Sequence, residues 1–373
     1  MKKQPTRILH VIGKLGSGGI ESFVINVYRH VIARNIQFDF IVFRDVQEFY
    51  EEEIRKLGGK KYAMGKELSP KLLERIKRVF RFLKLLKEHP EYRIIHVHMS
   101  NPASALEYLL VSKLLGRKVI AHSHASGDYR NGKVRAAAYM VCRKIVCRFA
   151  DKKLACSQKA AEWIFSSKYV RCVEIIYNGI DFGKFVFCQH ERDKIRMQYH
   201  LGDNFIIGHV GRFAPEKNHR FLIEVFRKLA DICNVELLLV GEGDGRKDVE
   251  LLVSQSNLEG KVIFAGERRD VSCILQAMDV LVMPSKYEGF GIVAVEAQAS
   301  GLPCVLSDSI PREVQCTDYV SFLSLNEGAE KWAEEIMKFR VKANRNVSMN
   351  HVNSKEYDIR KTVEKIETVY MGL

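Results

Sequence analysis

DVLVMPSKYEGFGIVAVEAQASGLPCVLSD, residues 279–308, contains one complete strand-loop-helix-strand unit. Residues 280–283 form a short apolar run that ends at a proline and a serine, as a buried parallel strand does. The glycine-bearing loop EGFG at 288–291 follows, and residues 292–299 then continue in helical rhythm. A Gly-Leu-Pro turn ends that helix before the next strand begins at residue 304. This order predicts the β-α-β repeat of an open parallel sheet.

Two glutamates mark this unit, Glu288 in the loop and Glu296 within the helix. The helix start offers the backbone amides of Phe290, Gly291 and Ile292 together with the positive end of the helix dipole, which suits an anion. A site of this kind can accept hydroxyl protons at the carboxylates while the amides hold phosphate. A sugar nucleotide presents that mixture of groups.

The length and composition of the chain restrict its class. At 373 residues, the chain is too long for one ordinary core and indicates two domains. No apolar run approaches 18 residues, so we expect no membrane span and no signal peptide. The nine cysteines are scattered without a C-x-x-C pair, which favours reduced thiols in a cytoplasmic protein over disulfides or a zinc site.

The basic charge lies in the first half of the chain. Residues 1–177 carry a net charge of +18 and residues 178–373 carry −4. Residues 72–86 form an amphipathic helical pattern with many basic residues, which we interpret as a crossover helix with its apolar stripe (72, 73, 76, 79, 80, 83 and 86) on the sheet. Residues 130–153 mix cationic and apolar side chains as an interfacial helix does. An anionic membrane surface is favoured over nucleic acid, because no stacking-aromatic pattern accompanies the charge.

Two cations follow a predicted strand at residues 205–210. Arg212 comes directly after this strand, and Lys217 stands just before the next helix. A forked guanidinium and a compact ammonium at the carboxyl end of a strand can clamp a diphosphate. The alternative is a solvated loop.

A glycine loop follows the first predicted strand, residues 7–12. Gly18 and Gly19 allow the backbone to approach a ligand before a helix, but Glu21 takes the last position of what would be G-x-G-x-x-G. A nicotinamide-binding interpretation is therefore weak. The alternative for the two glycines is a plain tight turn.

Histidines end two further predicted strands. His98 ends one strand, and His122 and His124 follow another. Ligands bind at the carboxyl ends of strands in open α/β sheets, and His124, two residues into the loop, is the favoured candidate. A structural role is the alternative for all three.

Residues 284–303 resemble the signature of the retaining glycosyltransferases of family 4, PSxxEGFGxVxxEAxAxGxP with its E-x7-E pair. Four further segments are similar to family elements: GSGGIES at 16–22, NGID at 178–181, GRFAPEKN at 211–218 and GEG at 241–243. The resemblance implies the GT-B fold, in which two Rossmann-like parallel-sheet domains face each other across a cleft. It gives an acceptor-binding domain at 1–177, a linker at 178–200, a nucleotide-sugar-binding domain at 201–356, and a terminal helix within 357–373 that packs back on the first domain.

The resemblance also implies roles for single residues. Glu288 contacts the donor sugar, Glu296 the nucleotide ribose, and Arg212 and Lys217 the diphosphate. His124 lies beside the reacting sugar. The implied catalytic set is His124, Arg212, Lys217 and Glu288, and the implied nucleotide-sugar-binding set is Gly18, Gly19, Gly241, Gly243, Arg268, Phe290, Gly291, Ile292 and Glu296. Gln298 stands where the family usually has methionine, a change that we expect to affect packing only.

The implied reaction is a retaining transfer of a hexose from a nucleotide sugar, with uridine (UDP) as the expected base. No D-x-D occurs in the sequence, so the usual aspartate pair for a divalent cation is missing and we expect no metal or other cofactor. Resemblance to enzymes of capsular or exopolysaccharide assembly suggests a glycan or lipid-linked saccharide acceptor at the inner face of the cell membrane. Nucleic acid is not an expected partner. A GT-B epimerase or phosphorylase, and a non-catalytic nucleotide-sugar-binding scaffold on the membrane, remain alternatives.

Overall fold

The computed structural model describes residues 5–65, 72–127, 132–340, 345 and 355–373. The chain divides into two compact units. The first contains Met1–Gly179 and Glu356–Leu373, and the second contains Ile180–Lys355. Each unit is built around one parallel sheet, as the strand-helix alternation predicts.

The sheet of the first unit has seven strands among the described residues, in the order β3-β2-β1-β4-β5-β6-β7, and all of its pairings are parallel. The chain order reverses between β1 and β4, which makes the carboxyl ends of these two strands the place where such a sheet receives a ligand. The strands are β1 (Thr6–Gly13), β2 (Ile36–Val42), β3 (Lys61–Ala63), β4 (Ile94–Met99), β5 (Lys118–Ser123), β6 (Lys152–Ala155) and β7 (Glu174–Ile175).

Helices cover this sheet and complete its core. Buried side chains of β1, β2 and β4 are mostly apolar, as strands covered on both faces require, and the polar exceptions are three histidines, Gln37 and Asp39. Asp39 on β2 is fully buried and accepts bonds from the Arg7 guanidinium (both 2.7 Å), from the Lys60 amide (2.7 Å) and from the Tyr92 hydroxyl (2.8 Å). The helices are α1 (Gly19–Val31), α2 (Glu51–Lys56), α3 (Leu72–Glu88), α4 (Leu106–Leu114), α5 (Lys133–Phe149), α6 (Gln158–Ile164) and α7 (Ser167–Val170).

Helix α3 does not bury the whole stripe that its sequence suggests. Phe82, Leu85 and Leu86 are buried against the sheet, whereas Leu73, Ile76 and Phe80 are exposed. The interpretation of the stripe was therefore wrong for these last three residues. The covered face follows the neighbouring elements rather than the sequence periodicity, because α4 also packs on α3.

Helix α5 lies on the surface, with only Val146 and Cys147 buried. Its exposed side chains include Val134, Met140 and Val141 as well as cationic residues. The basic segment predicted at 130–153 is not one helix, because residues 152 and 153 begin strand β6, and residues 130 and 131 lie outside the described residues. In the described parts of the chain, no helix combines the length and apolar character needed to cross a membrane.

The sheet of the second unit has six strands among the described residues, in the order β10-β9-β8-β11-β12-β13. Its pairings are parallel, and its order reverses between β8 and β11. The strands are β8 (Phe205–Val210), β9 (Val235–Val240), β10 (Val262–Gly266), β11 (Val280–Met283), β12 (Cys304–Ser307) and β13 (Val320–Leu323). The helices that belong to this unit are α8 (Gln189–Gln198), α9 (His219–Ala230), α10 (Arg246–Gln255), α11 (Val271–Ala277), α12 (Ile292–Ala299) and α13 (Gly328–Met337).

Helix α8 lies within the segment expected to be a linker, yet it is anchored in the second unit. Asp279, next to β11, accepts from Arg192 (2.6 Å) and Arg196 (2.7 Å) of this helix and from the amide of Ile206 (2.7 Å). Arg345 is also buried there and donates to the carbonyl oxygens of neighbouring residues. Residues 189–198 are thus part of the fold.

Gln298 on α12 does more than fill space. It is buried, its amide nitrogen donates to the carbonyl oxygens of Ala294 and Val314 (both 2.8 Å), and its oxygen accepts from the amides of Cys316 (2.7 Å) and Thr317 (2.9 Å). The expectation of a packing effect alone was wrong. This side chain fixes the backbone at 314–317, which methionine cannot do because it has no N–H donor and no strong acceptor.

The last helix, α14 (Ile359–Met371), belongs to the first unit. Ile359, Val363 and Ile366 lie in the same buried cluster as residues of α1 and β2. The Thr362 hydroxyl donates to the carbonyl oxygen of Tyr177 (3.1 Å). Helix α14 therefore completes the core of the first unit, although about half of the chain separates it from the other residues of that unit.

Candidate active site

The second unit brings Lys217 and Glu288 together where its strand order reverses. Lys217 follows β8, Glu288 follows β11, and the lysine Nζ lies 2.5 Å from the Glu288 Oε2. Both side chains are largely buried, with fractional exposures of 18% and 16%. The loops that carry them are joined by a bond from the Lys286 amide to the carbonyl oxygen of Glu216 (2.8 Å). A lysine has three N–H donors, so the contact with Glu288 leaves donors for a ligand.

Arg212 lies on the same loop and points to solvent. One of its nitrogens donates to Glu216 Oε1 (2.8 Å), and about half of its side chain is exposed. A surface ion pair of this kind is weak and is readily exchanged for another anion. The guanidinium can therefore reach a phosphate without leaving a buried partner.

Gly241 and Gly243 are required by close backbone packing after β9. Gly241 has a φ of +136°, and a Cβ atom there would lie 2.2 Å from the carbonyl oxygen of Gly211. At Gly243 a Cβ atom would lie 2.5 Å from the carbonyl oxygen of Phe213. These glycines hold the loop that carries Arg212, and their contact with a nucleotide stays a prediction.

The start of α12 forms one wall of the loop that carries Glu288. Gly291 caps the helix with a φ of +86°, and Ile292 is its first residue. The side chain of Phe290 is buried, so a contact of this residue with a ligand would have to come from its backbone. The helix has no side-chain cap, which leaves the positive dipole end open to an anion.

Glu296 lies on α12, and its neighbours desolvate it strongly, although part of its surface still reaches solvent. Burial raises the pKa of this carboxyl to about 7. A carboxyl group with a near-neutral pKa is a feature of functional sites. Arg268, by contrast, makes a bidentate contact with Asp270 (2.8 and 2.7 Å) after β10, so its guanidinium is already engaged.

Gly18 and Gly19 lie at the start of α1 in the first unit, as the cap and the first residue. A Cβ atom on Gly18 would lie 2.4 Å from the Glu21 carboxylate, whereas nothing lies within 4 Å of one on Gly19. The buried Glu21 lies in the first turn of this helix. The contact of these two glycines with a nucleotide sugar stays a prediction.

Five histidines meet at the strand reversal of the first sheet, and two of them, His10 and His96, were not among the candidates named from the sequence. His124 Nε2 lies 2.8 Å from His98 Nδ1, and His98 Nε2 lies 2.9 Å from His10 Nδ1. His96 Nε2 lies 3.1 Å from His122 Nδ1, and His96 Nδ1 lies 2.8 Å from the Tyr370 hydroxyl of α14. We call these residues the histidine cluster.

Burial keeps the histidine cluster neutral. The pKa of His124 is lowered to about 3, and the pKa values of the other four fall well below the usual range for the same reason. His124 itself is partly exposed at the edge. His10 and His96 were missed, but a histidine at every second position of a strand (His96 and His98) signals a shared face.

The comparisons with known proteins agree with this architecture. The family model described as "Glycosyltransferase Family 4" matches residues 17–184, and that described as "Glycosyl transferases group 1" matches residues 191–351. The "Putative glycosyltransferase EpsF" of Bacillus subtilis (strain 168) is 33% identical over 91% of this chain and 88% of its own length.

Two further proteins are more distant. The UDP-Gal:alpha-D-GlcNAc-diphosphoundecaprenol alpha-1,3-galactosyltransferase of Escherichia coli is 24% identical, over 81% of each chain. The crystal structure of HepE of Anabaena in complex with UDP and glucose has a TM-score of 0.80 at 20% identity, over 98% of this chain and 99% of that one, which shows the shared GT-B fold. With the EpsF match, these findings establish that the chain is a glycosyltransferase and belongs to family 4, with a group 1 glycosyl transferase domain in its second unit.

Proposed function

We propose that this glycosyltransferase transfers a hexose with retention from a nucleotide sugar, with UDP as the nucleotide, to a lipid-linked saccharide in surface polysaccharide synthesis. The observation that carries the proposal is the Lys217–Glu288 pair at the strand reversal of the second sheet, beside Arg212 and the open start of α12. The relatives support the substrate classes. UDP is bound in the HepE structure, and the Escherichia coli enzyme is named for a diphosphoundecaprenol acceptor.

Departure of a nucleotide from a sugar carbon develops negative charge on the diphosphate. Lys217 retains N–H donors beyond its contact with Glu288, Arg212 can exchange Glu216 for phosphate, and the dipole of α12 adds a partial positive charge. These groups stabilise the leaving oxygens by electrostatics alone. The proposed reaction therefore needs no divalent cation, and activity in the presence of a chelator tests this.

Glu288 serves the sugar side in this proposal. Its carboxylate holds Lys217 at 2.5 Å and lies 3.4 Å from the Ser285 hydroxyl. It can accept bonds from sugar hydroxyls while it orients the lysine. His124, kept neutral by burial, can accept or donate one hydrogen bond to a sugar without adding a charge.

Lys217→Gln tests the core of the proposal. We expect kcat for transfer from a UDP-hexose to fall about a hundredfold to a thousandfold, because one stabilising donor of the leaving group is lost. The matched control is Lys228→Gln, which removes a lysine of α9 that pairs with Glu330 at the surface. Donor binding is first screened by thermal shift with a panel of nucleotide sugars, and the anomeric configuration of the product is read by NMR. Equal kcat in the Lys217 and Lys228 variants would contradict the proposal.

A further inference from the structure

The histidine cluster offers more ligand nitrogens than its own hydrogen bonds use. Within the described residues, the structure gives no hydrogen-bond partner to three buried ring nitrogens, His10 Nε2, His122 Nε2 and His124 Nδ1. Buried polar atoms are normally paired, so three orphaned nitrogens within one cluster need an explanation.

We propose that His98, His122 and His124 form a binding site for a divalent transition-metal ion of the zinc class. The three residues each offer one ring nitrogen within 4.8 Å of the others. Neutral imidazole is the form that binds metal, and the ions that it suits are zinc, copper, nickel and iron. Three histidines leave the fourth position of a tetrahedral ion open.

The remaining histidines are placed as supports for this site. A metal-bound histidine normally uses its second ring nitrogen to bond another group, which fixes its orientation. His98 uses Nε2 to bond His10, and His122 uses Nδ1 to bond His96, which is held by Tyr370. The ligand nitrogens are then His98 Nδ1, His122 Nε2 and a ring nitrogen of His124, and the ion replaces the contact between His98 Nδ1 and His124 Nε2 (2.8 Å).

A second trio, His10, His96 and His98, is a weaker candidate. Its members also lie close enough to share an ion. However, both ring nitrogens of His96 are bonded to groups outside this trio, to His122 and to Tyr370, whereas the His98 Nδ1 contact is made to His124, a ligand of the same proposed ion. This trio is also buried throughout, whereas His124 is partly exposed and gives the favoured trio a route to solvent. Because both trios contain His98, one ion per chain is expected.

A bound ion is expected to lower the transferase activity, and this expectation rests on the proposed function. His124 is the proposed contact to the sugar, so a bound ion withholds its ring nitrogen and lowers turnover. The ion is not part of the diphosphate clamp, which belongs to the second unit. Metal binding and sugar transfer can therefore be tested separately, and a negative result for one proposal does not contradict the other.

The test is a titration of the full chain, without a polyhistidine tag and stripped of metal, with Co²⁺ and then Zn²⁺. We expect one equivalent of Co²⁺ to produce the visible absorption of a tetrahedral ion and Zn²⁺ to displace it. His124→Gln and His122→Gln should abolish this signal, and His96→Gln should weaken binding about 10-fold to 100-fold. His89→Gln, which removes a partly exposed histidine of the same unit outside the cluster, should bind as the parent does.

Two results would overturn the site. One is the absence of the absorption band in the parent protein, and the other is unchanged binding in His124→Gln with loss of binding in His10→Gln, which would place the ion in the deeper trio. His124 lies at the edge of the cluster, so this variant keeps the test valid even if His122→Gln does not fold. A Zn²⁺-dependent rise in Tm of the parent that is absent from His124→Gln gives an independent reading.

Discussion

The roles of single residues in the second unit can be inferred only in part from their positions in the sequence. The pairing of Lys217 with Glu288 is the arrangement expected if both motifs serve one ligand, and the two are 71 positions apart in the chain. Gln298 shows the opposite case. A glutamine in a mostly apolar helix gives no sign of which backbone it will bond, because its partners at 314–317 are set by tertiary packing.

The raised pKa of Glu296 predicts a pH-dependent affinity for nucleotide. If its carboxylate accepts the ribose hydroxyls, UDP should bind about tenfold more tightly at pH 8 than at pH 6, because a group with a pKa of about 7 ionises across that range. Calorimetric titration measures this. Glu296→Gln should bind UDP with a much smaller change, and the titration of the nucleotide itself is common to both proteins. An identical pH dependence in the two would count against the ribose contact.

We expect the substitution Gln298→Met to lower the stability of the protein. The amides of Cys316 and Thr317 would keep no acceptor in a buried place, which should lower the free energy of unfolding by about 3 kcal/mol. Urea denaturation measures the difference. Gln255→Met, at an exposed position of α10, is the control and should change stability little. If methionine is tolerated equally at both positions, the bonds of Gln298 contribute no net stability.

At the scale of elements, apolar strands and the motif helix were predictable, and short polar strands were not. Strands β8 and β11 and helix α12 have the bounds that the sequence predicts, because apolar runs between turn residues leave few alternatives. Strand β6 reads KKLA and β3 has three residues, so neither carries a periodic signal. Their strand conformation comes from pairing with neighbours that sequence periodicity cannot identify.

We expect the stability of the second unit around α8 to depend strongly on the carboxylate of Asp279. Asp279→Asn would leave Arg192, Arg196 and Arg345 near one another without their anion, and we expect the free energy of unfolding to fall by about 3–5 kcal/mol. Chemical denaturation reports the loss. Asp193→Asn on the exposed side of the same helix is the matched control, with an expected change within about 0.5 kcal/mol. Comparable stabilities for the two variants would show that the guanidinium groups find other partners.

At the scale of the whole molecule, the excess of basic charge and a group of exposed apolar side chains lie in the same unit. The +18 charge of residues 1–177 is accompanied by Ile76 and Phe80 on α3 and by Met140 and Val141 on α5, all exposed, and α4 packs on both helices. Cationic and apolar groups on adjoining helices are what an anionic lipid surface attracts. We therefore propose that this unit binds the membrane at its inner face, near the lipid-linked acceptor.

Vesicle cosedimentation tests the membrane proposal. Phe80→Ser should reduce binding to vesicles that contain anionic lipid by about tenfold, because burying one phenylalanine side chain is worth about 1.5–3 kcal/mol. Leu251→Ser removes an exposed leucine of the second unit and should bind as the parent does. Binding that ignores both the anionic lipid and Phe80 would contradict the proposal.

The return of α14 to the first unit has a consequence for how the protein is made. The core of that unit needs Val363 and Ile366, and the histidine cluster needs Tyr370, so neither is complete when the ribosome has released only the first 179 residues. Domains normally finish folding in the order of synthesis. Here the later-made unit can mature first, while the earlier one remains a nascent intermediate whose apolar groove stays uncovered until its closing helix has been synthesised.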